Sequence, residues 1–278
     1  MMNYKLLFAS LLLLSFAAMA VFEAPSPDPA AIGMADITPA IGPGPTSLFY
    51  ESGIAAGSAF QRSLDFADFD HVSAWASWSQ DRIGRISASF GTFSVPDIST
   101  ETKISLGYTR SILSDIHTEL NIAACGDVYS LSYGKSLGGI DLGSAAAFAL
   151  DLGAEAIIYN RTRIRVLAEN LTATNMGTEG DIEIPRAVSA SIGYSPYNAT
   201  DMVFHIRRET GVDYIYGLGI SVSPHKMITF RLGAVTNPDR VTAGIGLKYK
   251  FVRFDYALKS HPALPISHAV SIGVDLER

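Results

Sequence analysis

At 278 residues the chain is long enough for one large domain or two small ones, and its composition narrows the choice further than its length. Charged residues make up 17%, against about 25% in an ordinary soluble domain, and mean hydropathy is +0.22. The net charge of −6 comes with no basic cluster, which speaks against a nucleic-acid partner. Cys125 is the single cysteine, so an internal disulfide and a thiol-ligated metal centre are excluded.

Residues 1–20 carry the marks of a secretory signal peptide. Lys5 supplies the positive start, Leu6 to Phe16 the apolar stretch, and Ala18-Met19-Ala20 the small-residue cleavage site. The mature chain is therefore expected to begin at Val21, with no cysteine there to take a lipid. Beyond residue 20 no window reaches the ~18 uncharged apolar residues that a membrane helix needs.

Residues 21–57 form a distinct N-terminal segment. VFEAPSPDPA is proline-rich, and AIGMADITPAIGPGPTSLFY mixes small residues with further prolines, which no regular strand survives. The segment suits a periplasmic or plug-like piece in a barrel mouth, and its composition equally suits a linker.

From 58 to 278 the period is two. Val241, Ala243, Ile245, Leu247 and Tyr249 fall on one face, against Thr242, Gly244, Gly246 and Lys248 on the other. Val188, Ala190, Ile192 and Tyr194 likewise oppose Ser189, Ser191 and Gly193. Such alternation marks strands rather than helices. It predicts fourteen of them, at 58–67, 70–79, 82–93, 102–112, 115–131, 144–157, 161–171, 186–195, 200–209, 212–222, 226–235, 240–249, 251–258 and 266–276.

Links on one side are short, near 79–82, 113–116, 159–162, 195–200, 223–226 and 250–251. The other side holds longer ones at 94–102, 132–143, 172–185 and 259–266, with 68–69 and 210–211 as tight exceptions. An even strand count with this asymmetry predicts an all-β protein: a transmembrane antiparallel β-barrel of the Gram-negative outer membrane, its exterior against lipid. A soluble, lipocalin-like barrel binding a small apolar ligand would alternate with its faces reversed. The polar face here is rich in Gly, Ser and Thr rather than the charges of a wet surface. Aromatic residues such as Tyr194, Tyr249, Phe251, Phe254 and Tyr256 also gather toward strand ends, as interfacial girdles do.

KISLGYTRSILSDIHTELNIAA, AAAFALDLGAEAIIY, VLAENLTATNMG and EIPRAVSASIGYSP, in this order, resemble the PorV/PorQ group of FadL-like outer-membrane barrels. The ending GIGLKYKFVRFDYALKSHPALPISHAVSIGV is the most specific part. There the lysine-bearing strand is marked by Lys248 and Lys250, the aspartate-tyrosine strand by Asp255 and Tyr256, the loop by His261 and Pro262, and the last strand by His268. The opening is similar only in part, because Phe49-Tyr50-Glu51-Ser52-Gly53 stands where the group has Asn-Pro-Ala-Gly. The resemblance covers residues 30–276. It implies an outer-membrane barrel acting either in type IX secretion, with secretion-system components as partners, or in transport of hydrophobic small molecules.

Nothing points to an enzyme or a cofactor. HExxH, GxSxG and P-loop patterns are absent from the sequence, which leaves a membrane-embedded lipid hydrolase without a motif. Ser267 and His268 point to opposite faces of one strand and cannot form a nucleophile-base pair. The paired glycines 217/219 and 244/246 read as strand glycines facing a lumen. The candidate site is a cluster of charges on the polar faces: Arg163, Arg165, Glu169, Lys248, Lys250, Arg253 and Asp255. Facing inward, they must pair or meet water, and Lys248 is expected to face the neighbourhood of Arg253 and Asp255 across the tight turn at 250–251.

Overall fold

The computed structural model describes residues 22, 28–36, 53–63, 69–80, 83–134, 143–176 and 183–276. The expected signal peptide at 1–20 and most of the N-terminal segment lie outside them. A four-residue helix, α1 (Pro29–Ile32), precedes fourteen strands: β1 (Ile54–Ser63), β2 (Phe69–Gln80), β3 (Gly84–Val95), β4 (Ser99–Ser114), β5 (Thr118–Tyr133), β6 (Ser144–Ile158), β7 (Thr162–Glu169), β8 (Ala187–Tyr197), β9 (Thr200–Glu209), β10 (Ile215–His225), β11 (Ile228–Val235), β12 (Arg240–Tyr249), β13 (Val252–Lys259) and β14 (Ser267–Leu276). Each strand pairs antiparallel with its sequence neighbours, and β1 closes on β14 from Ile54↔Leu276 to Arg62↔His268.

The alternation that produced the strand reading also sets the two faces of the wall. Along β2, His71, Ser73, Trp75 and Ser77 are buried inside, while Val72, Ala74, Ala76 and Trp78 are exposed. Elsewhere Leu106, Phe148, Leu218 and Leu232 are each more than half exposed on the outside. Leaving one such side chain in water forgoes about 1.5–3 kcal/mol of burial, repeated around the whole wall. That exterior overturns the soluble, lipocalin-like alternative. The described helix is far too short to cross a membrane, so crossing is by strands.

Several boundaries differ from the sequence reading. β1 begins at Ile54, so the barrel starts four residues before 58. The expected long link at 94–102 is a three-residue turn, because Ser and Thr on β3 and β4 extend the pairing to Val95↔Ser99. Conversely, the link at 210–211 runs over 210–214, since β10 starts only at Ile215. The link near 68–69 lies outside the described residues.

Short turns on the opposite rim are held by local chemistry. Asp115 Oδ1 accepts the His117 and Thr118 N–H groups at 2.7 and 2.8 Å, an Asx turn. These bonds hold its exposed carboxyl below the usual range. Tyr159 and Asn160 both take positive φ, 52° and 54°, the sense that matches hairpin twist.

Residues 28–36 lie inside the barrel. Asp28 caps α1 by accepting the Ala30 N–H at 3.0 Å. The segment then runs along the inner wall of β10–β14. Ile32 packs with Ala257 and Ala269; Met34 and Ala35 pack with Val203 and Val235, flanked by Ile215. Ala35 donates its N–H to Thr242 Oγ1 at 3.0 Å. Glycine makes this approach possible: a Cβ at Gly233 would fall 2.2 Å from the Ala35 nitrogen.

Candidate functional site: the lumen

Opposite the N-terminal segment, the lumen keeps a cavity of about 410 Å3. Phe22, Trp75, Phe93 and Tyr129 bring rings to its lining, and charged groups stand all round it, from Arg85 and Lys103 through Asp127 and Asp151 to Arg207 and Lys259. Phe22 meets Tyr129 edge-to-face with ring centroids 4.8 Å apart, a favoured aromatic geometry. The Phe22 N–H donates to Glu101 Oε2 at 2.8 Å. Lys103 Nζ lies 2.8 Å from Asp127 Oδ2 and 5.1 Å from the Tyr129 ring centre. The Cys125 thiol donates to Asp127 Oδ1 at 3.4 Å.

A loop folds in over the same wall. The Asn170 N–H donates to Asp151 Oδ1, and the Asn170 side-chain amide donates to the Ile184 carbonyl, both at 2.7 Å. These bonds seat Met176 and Ile184 against Tyr129, Leu131 and Ala149. The long link after β7 therefore narrows the lumen.

The predicted charge cluster is several separate pairs. Arg165 Nη2 meets Glu155 Oε1 at 2.8 Å, both buried across β6 and β7. Glu169 pairs with Arg207, which also reaches Glu209 at 3.3 Å. Arg163 lies on the inner face of β7, in register with Gly193. On the other wall, Asp255 takes Arg231 at 2.7 Å and Arg253 at 2.9 Å.

Of the two neighbours expected for Lys248, Arg253 is in place and the carboxylate is corrected from Asp255 to Asp275. In register, Lys248 stands beside Arg253, and its Nζ lies 3.8 Å from Asp275 Oδ2. Lys250 is also corrected: it sits in the turn with φ 53°, its ammonium 5.6 Å from the Tyr249 ring centre, and shares no inner face.

The change of partners at Lys248 and Asp255 has a structural cause. The partners skip a strand: Arg231 on β11 reaches Asp255 on β13, and Lys248 on β12 reaches Asp275 on β14. Gly246 between the first two leaves the room, since a Cβ there would fall 2.6 Å from Asp255 Oδ1 and 2.9 Å from Arg231 Nη1. The sequence reading passed over Lys103, Asp127, Asp151, Glu155, Arg207, Arg231 and Asp275. Their signal was present, as charges at inward positions of alternating strands, but position alone does not give partners.

The N-terminal segment adds two carboxyls. Lys259 Nζ binds Asp36 Oδ2 at 2.7 Å. Burial would raise the Asp36 carboxyl, but Lys259 and the nearby arginines outweigh it and hold it low. At the other end, burial lifts Asp28 to about 6, with Arg253 opposing and Asp255 adding to the rise. One Asp28 oxygen, Oδ2, is buried without a hydrogen-bond partner among the described residues.

A closed antiparallel wall with an apolar outside and a polar, ion-paired inside defines an outer-membrane β-barrel. Solved structures share the architecture at very low identity. The toluene transporter TodX of Pseudomonas putida superposes with a TM-score of 0.59 at 10% identity, covering 92% of this chain and 99% of that one. The CymD monoaromatic hydrocarbon channel gives 0.60 at 9%, covering 84% and 91%. A FadL homologue of Pseudomonas aeruginosa gives 0.58 at 10%, covering 93% and 100%. No family model and no curated protein matches the chain, so the PorV/PorQ resemblance rests on the motifs quoted above.

Proposed function

We infer that this barrel is a narrow channel through which small hydrophobic molecules cross the outer membrane. The enclosed cavity between the N-terminal segment and the barrel wall, with four aromatic rings in its lining and charges paired to one another, carries the reading. An open aqueous pore would need a clear bore, whereas here a chain segment and an inturned loop occupy part of the lumen. Among the described residues the charges are matched to one another across strands rather than set in a ring of one sign that would select ions. Rings and a compact cavity are the usual furniture of an apolar ligand site. The architecture is shared with proteins described as a toluene transporter and a monoaromatic hydrocarbon channel, which are channels rather than enzymes. Type IX secretion, also implied by the resemblance, is less well supported: links such as 96–98 and 236–239 offer little surface to hold protein cargo.

The test is uptake of radiolabelled toluene by cells that express the barrel and lack other routes, beside single-channel conductance in planar bilayers. Saturable toluene uptake with low ionic conductance is the expected result. A large, steady ion conductance without toluene uptake would overturn the reading.

A further inference from the structure

A second cavity, of about 470 Å3, lies on the outside of the wall near the rim opposite the short turns. Register explains it. Phe204, Leu218, Ala234 and Val241 stand side by side across β9, β10, β11 and β12, all on the face that meets lipid. Ala234 is the small member of this row, and the missing side-chain volume leaves a notch between Leu218 and Val241. The chain beyond β13 roofs it. Ser260 N–H donates to the Val241 carbonyl at 2.9 Å and the Val241 N–H donates to Ser260 Oγ at 2.8 Å, which brings His261 and Pro262 over the edge of the notch.

The roof is a set of donors. Ser260 Oγ, having accepted from Val241, still has its own hydrogen to give. His261 Nδ1 accepts the Ala263 and Leu264 N–H groups, each at 3.2 Å. That leaves the other ring nitrogen carrying the proton, as a donor. Arg240 lines the notch from the lumen side, its Nε buried without a hydrogen-bond partner among the described residues. Asp239 is the single carboxylate in the lining.

We propose that this notch is a lipid site for the outer leaflet: an acyl chain lies over Ala234 between Leu218 and Val241, and the phosphate of the same lipid takes the donors of Arg240, Ser260 and His261. The apolar floor faces the hydrocarbon layer and the donors sit at the rim, where a headgroup phosphate lies. A guanidinium and a phosphate make a charge-assisted pair. Arg240 also lines the lumenal cavity, so Arg240→Gln bears on both readings, whereas Ala234→Trp and the comparison of phosphorylated with dephosphorylated lipid bear on the notch alone and let either reading fail by itself.

The full-length barrel, placed in phosphatidylcholine nanodiscs doped with a diphosphorylated lipid A, should retain the phosphorylated lipid in native mass spectrometry. A dephosphorylated form of the same lipid should be retained less. Ala234→Trp fills the notch without touching the lumen, and Arg240→Gln removes the cation. Each is expected to lower retention about tenfold, the scale of one charged contact or one displaced chain. Asp239→Asn should raise it. Heat-modifiable migration on gels checks that each variant is a closed barrel, and Arg240→Gln keeps the test decisive if Ala234→Trp does not fold. Equal retention by the wild type and Arg240→Gln, or of the phosphorylated and dephosphorylated lipids, overturns the proposal.

Discussion

The two sides of the lumen solve the same problem differently. On the β10–β14 side, inner positions are largely small, and a piece of the chain's own N-terminal segment covers them: Ala35 lies against Gly233, and Gly33 against Gly244. On the β4–β7 side, inner positions are large and charged, and cross-strand pairs such as Lys103–Asp127 and Arg165–Glu155 fill the space. Both walls carry ion pairs, Arg231–Asp255 and Lys259–Asp36 on the first among them, but only the first also admits chain backbone against its glycines. The first can be uncovered without unfolding the barrel; the second cannot lose a member without stranding a buried charge.

That contrast can be broken most sharply at Glu155. Glu155→Gln leaves Arg165 without its counter-charge in a site where both side chains are almost fully buried. It should cost about 3–5 kcal/mol, read as a lower urea midpoint by tryptophan fluorescence, whereas Arg165→Met with Glu155→Gln should recover much of the loss. A double mutant as damaged as the single would mean that the pair is not the source of the effect.

Next in size is the outer face. Ile245→Arg places a cation near mid-wall on the lipid side and should cost about 2–4 kcal/mol in bilayer refolding equilibria. The neighbouring inward substitution Gly246→Val should instead part Arg231 from Asp255 with less effect on insertion. Similar refolding losses for both would erase the distinction between the faces.

On the covered wall, Gly233→Val should expel the segment while leaving a closed barrel. Deuterium uptake at Ala31–Asp36 should rise several-fold, against unchanged protection in β4–β7. Protection that persists would mean that the segment is held by its ends alone.

The smallest effect concerns pH. Docked, the Asp28 carboxyl titrates at about 6, against 3.8 for an ordinary aspartate. A raised value in the docked state means that docking takes up a proton: it is strongest below pH 4 and weakens as pH rises through about 6. Exchange at Ala31–Asp36, corrected for intrinsic rates, should be slower at pH 5 than at pH 7. In Asp28→Asn, which keeps a cap, the difference should vanish; if it survives, another group is responsible.

Much of the wall was legible from the chain alone, because an inward/outward alternation is written residue by residue. Where alternation lacks contrast it misplaces ends: Ile54-Ala55-Ala56-Gly57 is too uniformly small to announce a strand. Ion pairs were less legible. Side-chain position follows from parity, but partnership depends on register and on reach over a gap such as Gly246, and neither is local. The lumenal course of residues 28–36 was legible only as one option, a plug-like piece beside a plain linker, since a short segment rich in alanine acquires its path only from the glycines that receive it two hundred residues later.

Closure has a consequence for how the barrel comes to exist. Ile54 must find Leu276, the two ends of a loop that spans almost every other strand, whereas every other pairing joins consecutive strands. The entropy of bringing such distant residues together grows only slowly with loop length, but it must be met before any seam bond rewards it. The seam offers modest side chains on its inner face, Ala55, Gly57 and Ala59 against Asp275, Gly273 and Ser271. Backbone bonds therefore carry most of the join, and until they form, β1 and β14 are open edges able to pair with whatever strand the assembly machinery, or a neighbouring unfinished barrel, presents.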